Sequence, residues 1–234
     1  VISGMEEYGV IGCAKHFPGH GDTETDSHYG LPIVDKSKSE LLKTELKPYE
    51  MVIDEGVDMI MTAHILYPQI DKDFPATMSE KILTGILKRD MGFDGIVCTD
   101  SMGMAGVTAN WTKAEACINA INAGVDMLCA PVSLRNQSSV DELDVLISDI
   151  EKAVLNGDIN QTRIDDAVTK ILKTKEEKGL LDYNVPIKTL EEAKAIVGSS
   201  EHKIAERKIA VEGVTVVKND ENLLPINVTD NSKT

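Results

Sequence analysis

The chain has 234 residues, of which 24 are Lys or Arg and 39 are Asp or Glu, giving a formal net charge of −15. Such an acidic chain repels a phosphate backbone and an anionic membrane surface, which excludes nucleic acid as a favoured partner. The sequence contains no run of roughly 18 or more apolar residues, and it therefore predicts no membrane-spanning segment.

The four cysteines stand singly in apolar stretches: Cys13, Cys98, Cys117 and Cys129. They lack the CxxC spacing that a structural zinc site needs, so we expect them to be reduced and buried. Reduced cysteines fit a reducing compartment, and they fit equally a protein exported by an anaerobic cell, which leaves the localisation open.

Short apolar runs alternate with helical patterns along the first half of the chain. We expect strands over residues 10–16, 58–64, 95–100 and 125–130. Near-continuous apolar strands of this kind are typical of a parallel sheet covered by helices. Between them, Thr112 and Glu115 form a capping box and Gly124 provides a stop, which predicts a helix before the fourth strand.

The pattern after the fourth strand is helical. Ser139 and Glu142 form a second candidate capping box, and the helix that they begin should end at Gly157. A further helix is expected around residues 164–172, then a linker over 179–187, a short helix over 189–197 and a strand over 214–217. This tail has the pattern of the start of another structural unit.

The alternation of strands and helices favours a parallel sheet, either open and doubly wound or closed into a barrel. In a barrel, reactive side chains cluster at the carboxyl ends of the strands, and His16, His64 and Asp100 each close a predicted strand. Four strands cannot close an eight-stranded barrel, and 234 residues fall short of the roughly 250 of a complete one. We therefore infer a fragment of a barrel.

The densest group of polar residues lies in the loop over residues 15–28, which carries three histidines. Lys15 in that group has an alternative interpretation as a surface charge. Between two glycines, His20 is more simply interpreted as a residue that holds the loop. Asp26 and His28 are two residues apart and can hydrogen-bond, which would fix the imidazole tautomer and make His28 a proton donor near neutral pH.

Asp100 ends an apolar strand and is followed by small or flexible residues, which favours a nucleophile at the rim of a barrel. The alternative is that it caps the next helix, but the next good helix start is Thr112. Asp126 is as well explained by packing at a strand end. His64 either touches substrate or satisfies the end of its strand.

Several segments together resemble glycoside hydrolase family 3, in particular its bacterial β-N-acetylglucosaminidase branch. The segments that carry the resemblance are Lys15-His16-Phe17-Pro18-Gly19-His20-Gly21, Asp26-Ser27-His28, Met61-Thr62-Ala63-His64-Ile65, Pro75-Ala76-Thr77-Met78-Ser79, Gly92-Phe93-Asp94-Gly95 and Thr99-Asp100. The stretch from Ala205 to Pro225 is similar to the passage into the second, α/β sandwich domain of this family.

This resemblance implies the C-terminal half of a (β/α)₈ TIM barrel over residues 1–178, a linker and helix over 179–212, and the first strand of an α/β sandwich domain within 213–234. The N-terminal half of the barrel, which in the family grips the terminal sugar, is missing from these residues. A carbohydrate substrate is implied, with no cofactor and no metal.

The resemblance also implies residue roles. Asp100 matches the nucleophile that forms a covalent glycosyl-enzyme, and His28, helped by Asp26, matches the general acid and base. Lys15 and His16 match residues that hydrogen-bond sugar hydroxyls, and we place His64 with them. Most retaining glycosidases use two carboxylates instead, so a His–Asp pair departs from the usual pattern.

Alternative functions remain. His16, His20, Asp22, Asp26 and His28 could be ligands in a metal-dependent barrel hydrolase, although their spacing on a loop does not preorganise imidazoles as a helix would. A catalytically inactive sugar-binding module is a second alternative. Within the family, a β-glucosidase or a glycoside phosphorylase is possible, because His28 would tolerate a phosphate that a second carboxylate would repel.

Overall fold

The computed structural model describes residues 1–182 and 188–226, and its contacts divide the chain into two compact units, Val1–Asp182 and Tyr183–Thr234. The first unit is an α/β fold around a parallel sheet in the order β1-β2-β3. Its strands are β1 (Cys13–Phe17), β2 (Met59–Thr62) and β3 (Ile96–Cys98). Parallel neighbours need crossover connections, and helices supply them here as the alternating sequence pattern predicted.

The first strand lies later in the sequence than predicted. A short helix, α1 (Ile2–Glu6), opens the chain, and β1 begins at Cys13 because the backbone N–H of Gly12 is taken by the carboxylate of Asp58 at 2.9 Å. The pairing of β1 with β2 also shifts register between Lys15 and Phe17. His16 therefore lies at the irregular point of this pairing.

The predicted fourth strand, residues 125–130, is wrong as a regular strand. Only a single parallel bridge, Cys98 to Met127, extends the sheet on this side. Three backbone hydrogen bonds join this segment to β3 and to the residue that follows it, from the N–H groups of Asp126 and Met127 to the carbonyl of Val97 and from the N–H of Thr99 to the carbonyl of Met127. Side chains add two more, since the Asp126 carboxylate accepts the N–H of Val97 and the Thr99 hydroxyl accepts the N–H of Cys129, both at 2.9 Å.

Helices between the strands follow the sequence closely. A turn over residues 42–46 separates α2 (Lys38–Leu41) from α3 (Lys47–Asp54), and Pro48 lies in the first turn of α3. After β2 come a 3₁₀ turn (Ala76–Met78) and a π-helical segment (Lys81–Asp90). After β3 come α4 (Ala105–Thr108) and α5 (Lys113–Ala123). The predicted capping box and left-handed stop at Gly124 are confirmed in α5, where Gly124 has φ 117°.

Two long helices complete the first unit, α6 (Gln137–Asn156) and α7 (Gln161–Glu177). The predicted start of α6 at Ser139 is wrong: Asn136 is the N-cap, and its side chain accepts the N–H of Ser139 at 3.0 Å. The predicted stop at Gly157 is confirmed by its φ of 84°.

The core of this unit lies between the sheet and the helices. Its fully buried members include residues of the three strands and of the segments that follow them: Phe17, Leu41, Leu46, Ile60, Ile65, Tyr67, Ile82, Leu83, Leu87 and Val97. Cys98 and Cys117 are buried as expected, whereas the expected burial is wrong for Cys13 and Cys129, which are exposed.

Apolar side chains also remain exposed at the margins of the unit. Between α6 and α7 an apolar groove of about 420 Å³ is lined by Ile147, Ile150, Glu151, Val154, Leu155, Gln161 and Ile164. Tyr8 and Val10, which precede the outer strand β1 in the sequence, are exposed, and so is Met127, which bridges to β3.

The second unit contains α8 (Leu190–Ile196) and α9 (Ser200–Glu212) within its described residues. The predicted short helix is confirmed, with Thr189 as its N-cap. Residues 214–217, which were predicted as a strand, are exposed and pair with no other strand in the described part of the chain. Residues 183–187 of the predicted linker and residues 227–234 of the predicted sandwich domain lie outside the described residues. The division at residues 178 and 212 stays a prediction.

Over the ranges described, no helix has the length and apolar character needed to cross a membrane.

Candidate active site

The carboxyl ends of β1 and β3 bring His16 and Asp100 together. His16 lies in β1, and Asp100 lies two residues beyond the end of β3. The Nε2 atom of His16 is 3.4 Å from Oδ2 of Asp100, and the two side chains are 24% and 22% exposed. Each is therefore held by the protein and still open to a ligand, as the strand-end pattern predicted.

The electrostatics of His16 favour a neutral ring. Burial lowers the pKa of His16 below its ordinary value, and the facing carboxylate of Asp100 only partly opposes this effect. The charges of Lys15, His20 and His28 lower the pKa of His16 further, which shows that the strand end and the histidine loop lie within electrostatic reach of each other. A neutral imidazole at this point can hydrogen-bond a hydroxyl without adding charge beside Asp100.

Asp26 and His28 form the pair that their spacing predicted. Oδ1 of Asp26 accepts two hydrogen bonds from His28, from its backbone N–H at 2.9 Å and from Nδ1 at 2.7 Å. These hydrogen bonds, the backbone one first, lower the pKa of Asp26, so its carboxylate stays ionised in mildly acidic solution. Because Nδ1 donates to Asp26, the exposed Nε2 of His28 is the atom that can exchange a proton with a ligand.

His20 holds the loop, as its position between two glycines indicated. Its Nδ1 lies 2.9 Å from the Thr23 hydroxyl, and its Nε2 lies 2.9 Å from the hydroxyl of the buried Ser27. Ser27 separates Asp26 from His28, so this contact fixes the backbone that carries the pair.

Further anchors of the loop were missed by the sequence reasoning. Lys36 bridges the carboxylates of Asp22 at 2.6 Å and Glu45 at 2.5 Å, which ties the loop to the segment between α2 and α3. The hydroxyl of Tyr67 donates to the carbonyl of Gly19 at 2.8 Å. All these partners are distant in sequence from the loop, so no local pattern could have identified them.

A cleft of about 610 Å³ opens beside Lys15, His16 and His20, with Glu45 and Tyr49 on its other wall. Lys15 is exposed and makes no ion pair among the residues that the structure describes. Its ammonium group can therefore hydrogen-bond a polar ligand in this cleft.

His64 occupies a different environment from the other predicted site residues. It is only 1% exposed, and both of its ring nitrogens have partners: Nδ1 lies 2.8 Å from the Thr77 hydroxyl and Nε2 lies 3.0 Å from the carbonyl oxygen of Ser101. Burial lowers the pKa of His64. This histidine is next to the segment that carries Asp100, but it is covered by protein.

The residues proposed as metal ligands in the alternative interpretation are engaged elsewhere. Asp22 binds Lys36, His20 binds two hydroxyls, and Asp26 binds His28. Across residues 1–182 and 188–226 no three His, Cys, Asp or Glu side chains converge in a way that could hold a metal ion.

Comparison with known proteins adds an independent line of evidence. Residues 1–174 match the family model described as the glycosyl hydrolase family 3 N terminal domain. The β-hexosaminidase A of Pseudoalteromonas piscicida is 32% identical over 237 residues, which cover 96% of this chain and 39% of that protein. This chain thus spans well under half the length of that relative.

Two solved structures are similar to the chain over most of its length. A family 3 β-N-acetylglucosaminidase from Paenibacillus sp. str. FPU-7 is 34% identical with a TM-score of 0.68, covering 82% of this chain and 37% of that one. A β-glucoside phosphorylase, BglX, is 29% identical with a TM-score of 0.81, covering 95% of this chain and 40% of that one. With its histidine loop, its strand-end aspartate and a family match over three quarters of its length, the chain belongs to glycoside hydrolase family 3.

Proposed function

We propose that this chain carries the catalytic groups of a retaining glycosidase that removes terminal β-linked N-acetylglucosamine, or another N-acetylhexosamine, from peptidoglycan fragments. The observation that carries the proposal is the Asp26–His28 pair, whose 2.7 Å hydrogen bond at Nδ1 leaves Nε2 of the exposed His28 side chain for proton exchange, within electrostatic reach of His16. The similar proteins named β-hexosaminidase and β-N-acetylglucosaminidase support the choice of sugar.

The chain is proposed to act as the C-terminal half of a (β/α)₈ barrel. Its described sheet has three strands, exposed apolar side chains lie next to both outer strands, and the similar β-hexosaminidase A is more than twice as long as this chain. The first strand of a second, α/β sandwich domain is proposed to follow after residue 212. We use the term extended protein for residues 1–234 preceded by the first half of the barrel.

Two steps would complete the reaction. A carboxylate oxygen of Asp100 attacks the anomeric carbon while the protonated Nε2 of His28 gives its proton to the departing oxygen. His28 then takes a proton from water, which displaces Asp100 from the sugar with overall retention. The ionised Asp26 stabilises the imidazolium form, and Lys15 and His16 hydrogen-bond sugar hydroxyls from the cleft.

The second candidate function is that of a glycoside phosphorylase, and the similarity of the chain to a β-glucoside phosphorylase supports it. In that reaction phosphate replaces water in the second step. A histidine in place of a second carboxylate tolerates the incoming anion, because it places no additional negative charge opposite the acceptor.

The experiment uses the extended protein with nitrophenyl N-acetyl-β-glucosaminide and with nitrophenyl β-glucoside, each with and without phosphate. We expect higher kcat/KM on the acetylated sugar and free N-acetylglucosamine as product. A sugar 1-phosphate that dominates when phosphate is present would establish the phosphorylase instead. A muropeptide disaccharide tests the proposed source of the sugar. Binding of N-acetylglucosamine without turnover of any substrate would contradict both enzyme activities and would support an inactive sugar-binding module.

A further inference from the structure

We propose that His64 is a positioning residue for Asp100: by donating to the carbonyl oxygen of Ser101, it fixes the peptide segment that carries the proposed nucleophile. The inference rests on the proposed function of Asp100 and assigns His64 a role other than contact with substrate. It is carried by four hydrogen bonds around residues 99–102.

The segment after β3 has no regular structure, so its backbone groups need individual partners. The N–H of Thr99 donates to the carbonyl of Met127 at 3.0 Å, and the N–H of Met102 donates to the carbonyl of Cys129 at 2.9 Å. These two bonds hold the segment on the side of residues 127–129 only. Asp100 lies between them.

His64 supplies the hold on the opposite side. Its Nε2 lies 3.0 Å from the carbonyl oxygen of Ser101, which belongs to the same peptide group as the N–H of Met102. That one peptide group is therefore held from both sides, by His64 at its oxygen and by Cys129 at its nitrogen. The N–H of Ser101 in turn donates to Oδ1 of Asp100 at 2.7 Å, so the held segment orients the carboxylate directly.

The tautomer of His64 follows from its partners. A carbonyl oxygen can only accept, so Nε2 must carry the hydrogen, and in a neutral ring Nδ1 must then accept. Nδ1 faces the hydroxyl of Thr77 at 2.8 Å, and Thr77 lies 2.8 Å from the hydroxyl of Thr62 and 3.0 Å from the carbonyl oxygen of Ala63. Burial lowers the pKa of His64, which keeps the ring in this neutral, directional form.

Two substitutions separate this role from simple core packing. In His64→Gln the terminal amide can reach the position of Nε2 and still donate to Ser101. In His64→Asn the shorter amide reaches only the position of Nδ1 and leaves the carbonyl of Ser101 without its donor. Both variants place a neutral amide in the same buried site, so they form a matched pair.

The measurement is the rate at which a 2-fluoro glycosyl fluoride labels Asp100 in the extended protein, together with kcat, KM and the thermal unfolding midpoint of each variant. We expect His64→Asn to label and turn over about 10- to 100-fold more slowly than His64→Gln, with KM changed less than about threefold. If both variants fail to fold, Thr77→Ser against Thr77→Val provides the same comparison through the tautomer of His64, with the slower labelling expected for Thr77→Val.

The outcomes distinguish the inference from the proposed function. If the unaltered protein is labelled at Asp100 and the Asn and Gln variants are labelled equally fast, His64 does not position the nucleophile. A large rise in KM with unchanged kcat in His64→Asn would also overturn the inference, since it would indicate contact with substrate. If the unaltered protein is labelled at another residue, the proposed role of Asp100 fails first.

Discussion

Replacing Asp126 by Asn should destabilise the fold by about 3 kcal/mol. The carboxylate of Asp126 is fully buried and makes an ion pair with Arg163, while Lys88 lies 3.7 Å away. Asn keeps the shape and can still accept the N–H of Val97, but its NH2 group then faces Arg163, so the substitution removes the charge and the acceptor that Arg163 uses. Breaking a buried pair costs about 3–5 kcal/mol, and we take the lower end because Lys88 can lose its proton whereas Arg163 cannot.

The assay is urea unfolding of the extended protein at pH 7, followed by circular dichroism. At a denaturant slope of about 2–3 kcal/mol/M, the midpoint should fall by about 1 M with the slope unchanged. Asp149→Asn is the matched control, since Asp149 is 40% exposed and pairs with Lys152 at the helix surface, where such a pair contributes less than about 0.5 kcal/mol. Equal losses in the two variants, or a loss under about 1 kcal/mol for Asp126→Asn, would refute the reasoning.

Three further predictions concern the site and its support. In Gly106→Ala the new Cβ would lie 3.2 Å from the carbonyl oxygens of Ser27 and Gly30 and would push the histidine loop away, so kcat should fall at least about 10-fold. The control is Gly12→Ala, whose new Cβ has its nearest atom at 3.8 Å and which should keep its activity. Burial lowers the pKa of Lys88 to about 8, so above that pH the unfolded chain binds more protons than the folded one. In urea unfolding, the stability of the unaltered protein relative to Lys88→Met should therefore rise by up to about 3 kcal/mol between pH 8 and 10.5. A difference that stays constant with pH would contradict this. His28→Ala should slow a nitrophenyl glycoside less than a natural disaccharide in steady-state assays, because an activated leaving group needs little protonation; equal losses would contradict the acid role.

The parts of the fold that were predictable are those with a local physical cause. The helix from Lys113 to Ala123 was predictable because a capping box and a left-handed glycine stop are both encoded within a few residues. The start of α3 also has a local cause, because a proline is tolerated in the first turn of a helix, where its missing N–H has no partner to lose. The apolar pattern over residues 125–130 did not show that this segment pairs with β3 through one bridge, because the side chains of Asp126 and Thr99 take up the neighbouring N–H groups of Val97 and Cys129.

The candidate site shows the same division. The Asp26–His28 hydrogen bond follows from a separation of two residues on a loop, so the sequence could suggest it. The contact of His64 with the carbonyl of Ser101 joins residues 37 apart and depends on how two strand ends meet. Sequence reasoning placed His64 at a strand end, but it could not distinguish a buried residue from one that faces the ligand.

The most direct test of the account is to identify the residue that becomes covalently bound to the sugar. The extended protein is treated with a 2-fluoro glycosyl fluoride that traps the intermediate, digested, and analysed by peptide mass spectrometry. We expect a single label on Asp100, its absence in Asp100→Ala, and slow recovery of activity as the trapped sugar is released. A label on any other residue, or full activity in Asp100→Ala, would contradict the assignment of Asp100 as the nucleophile.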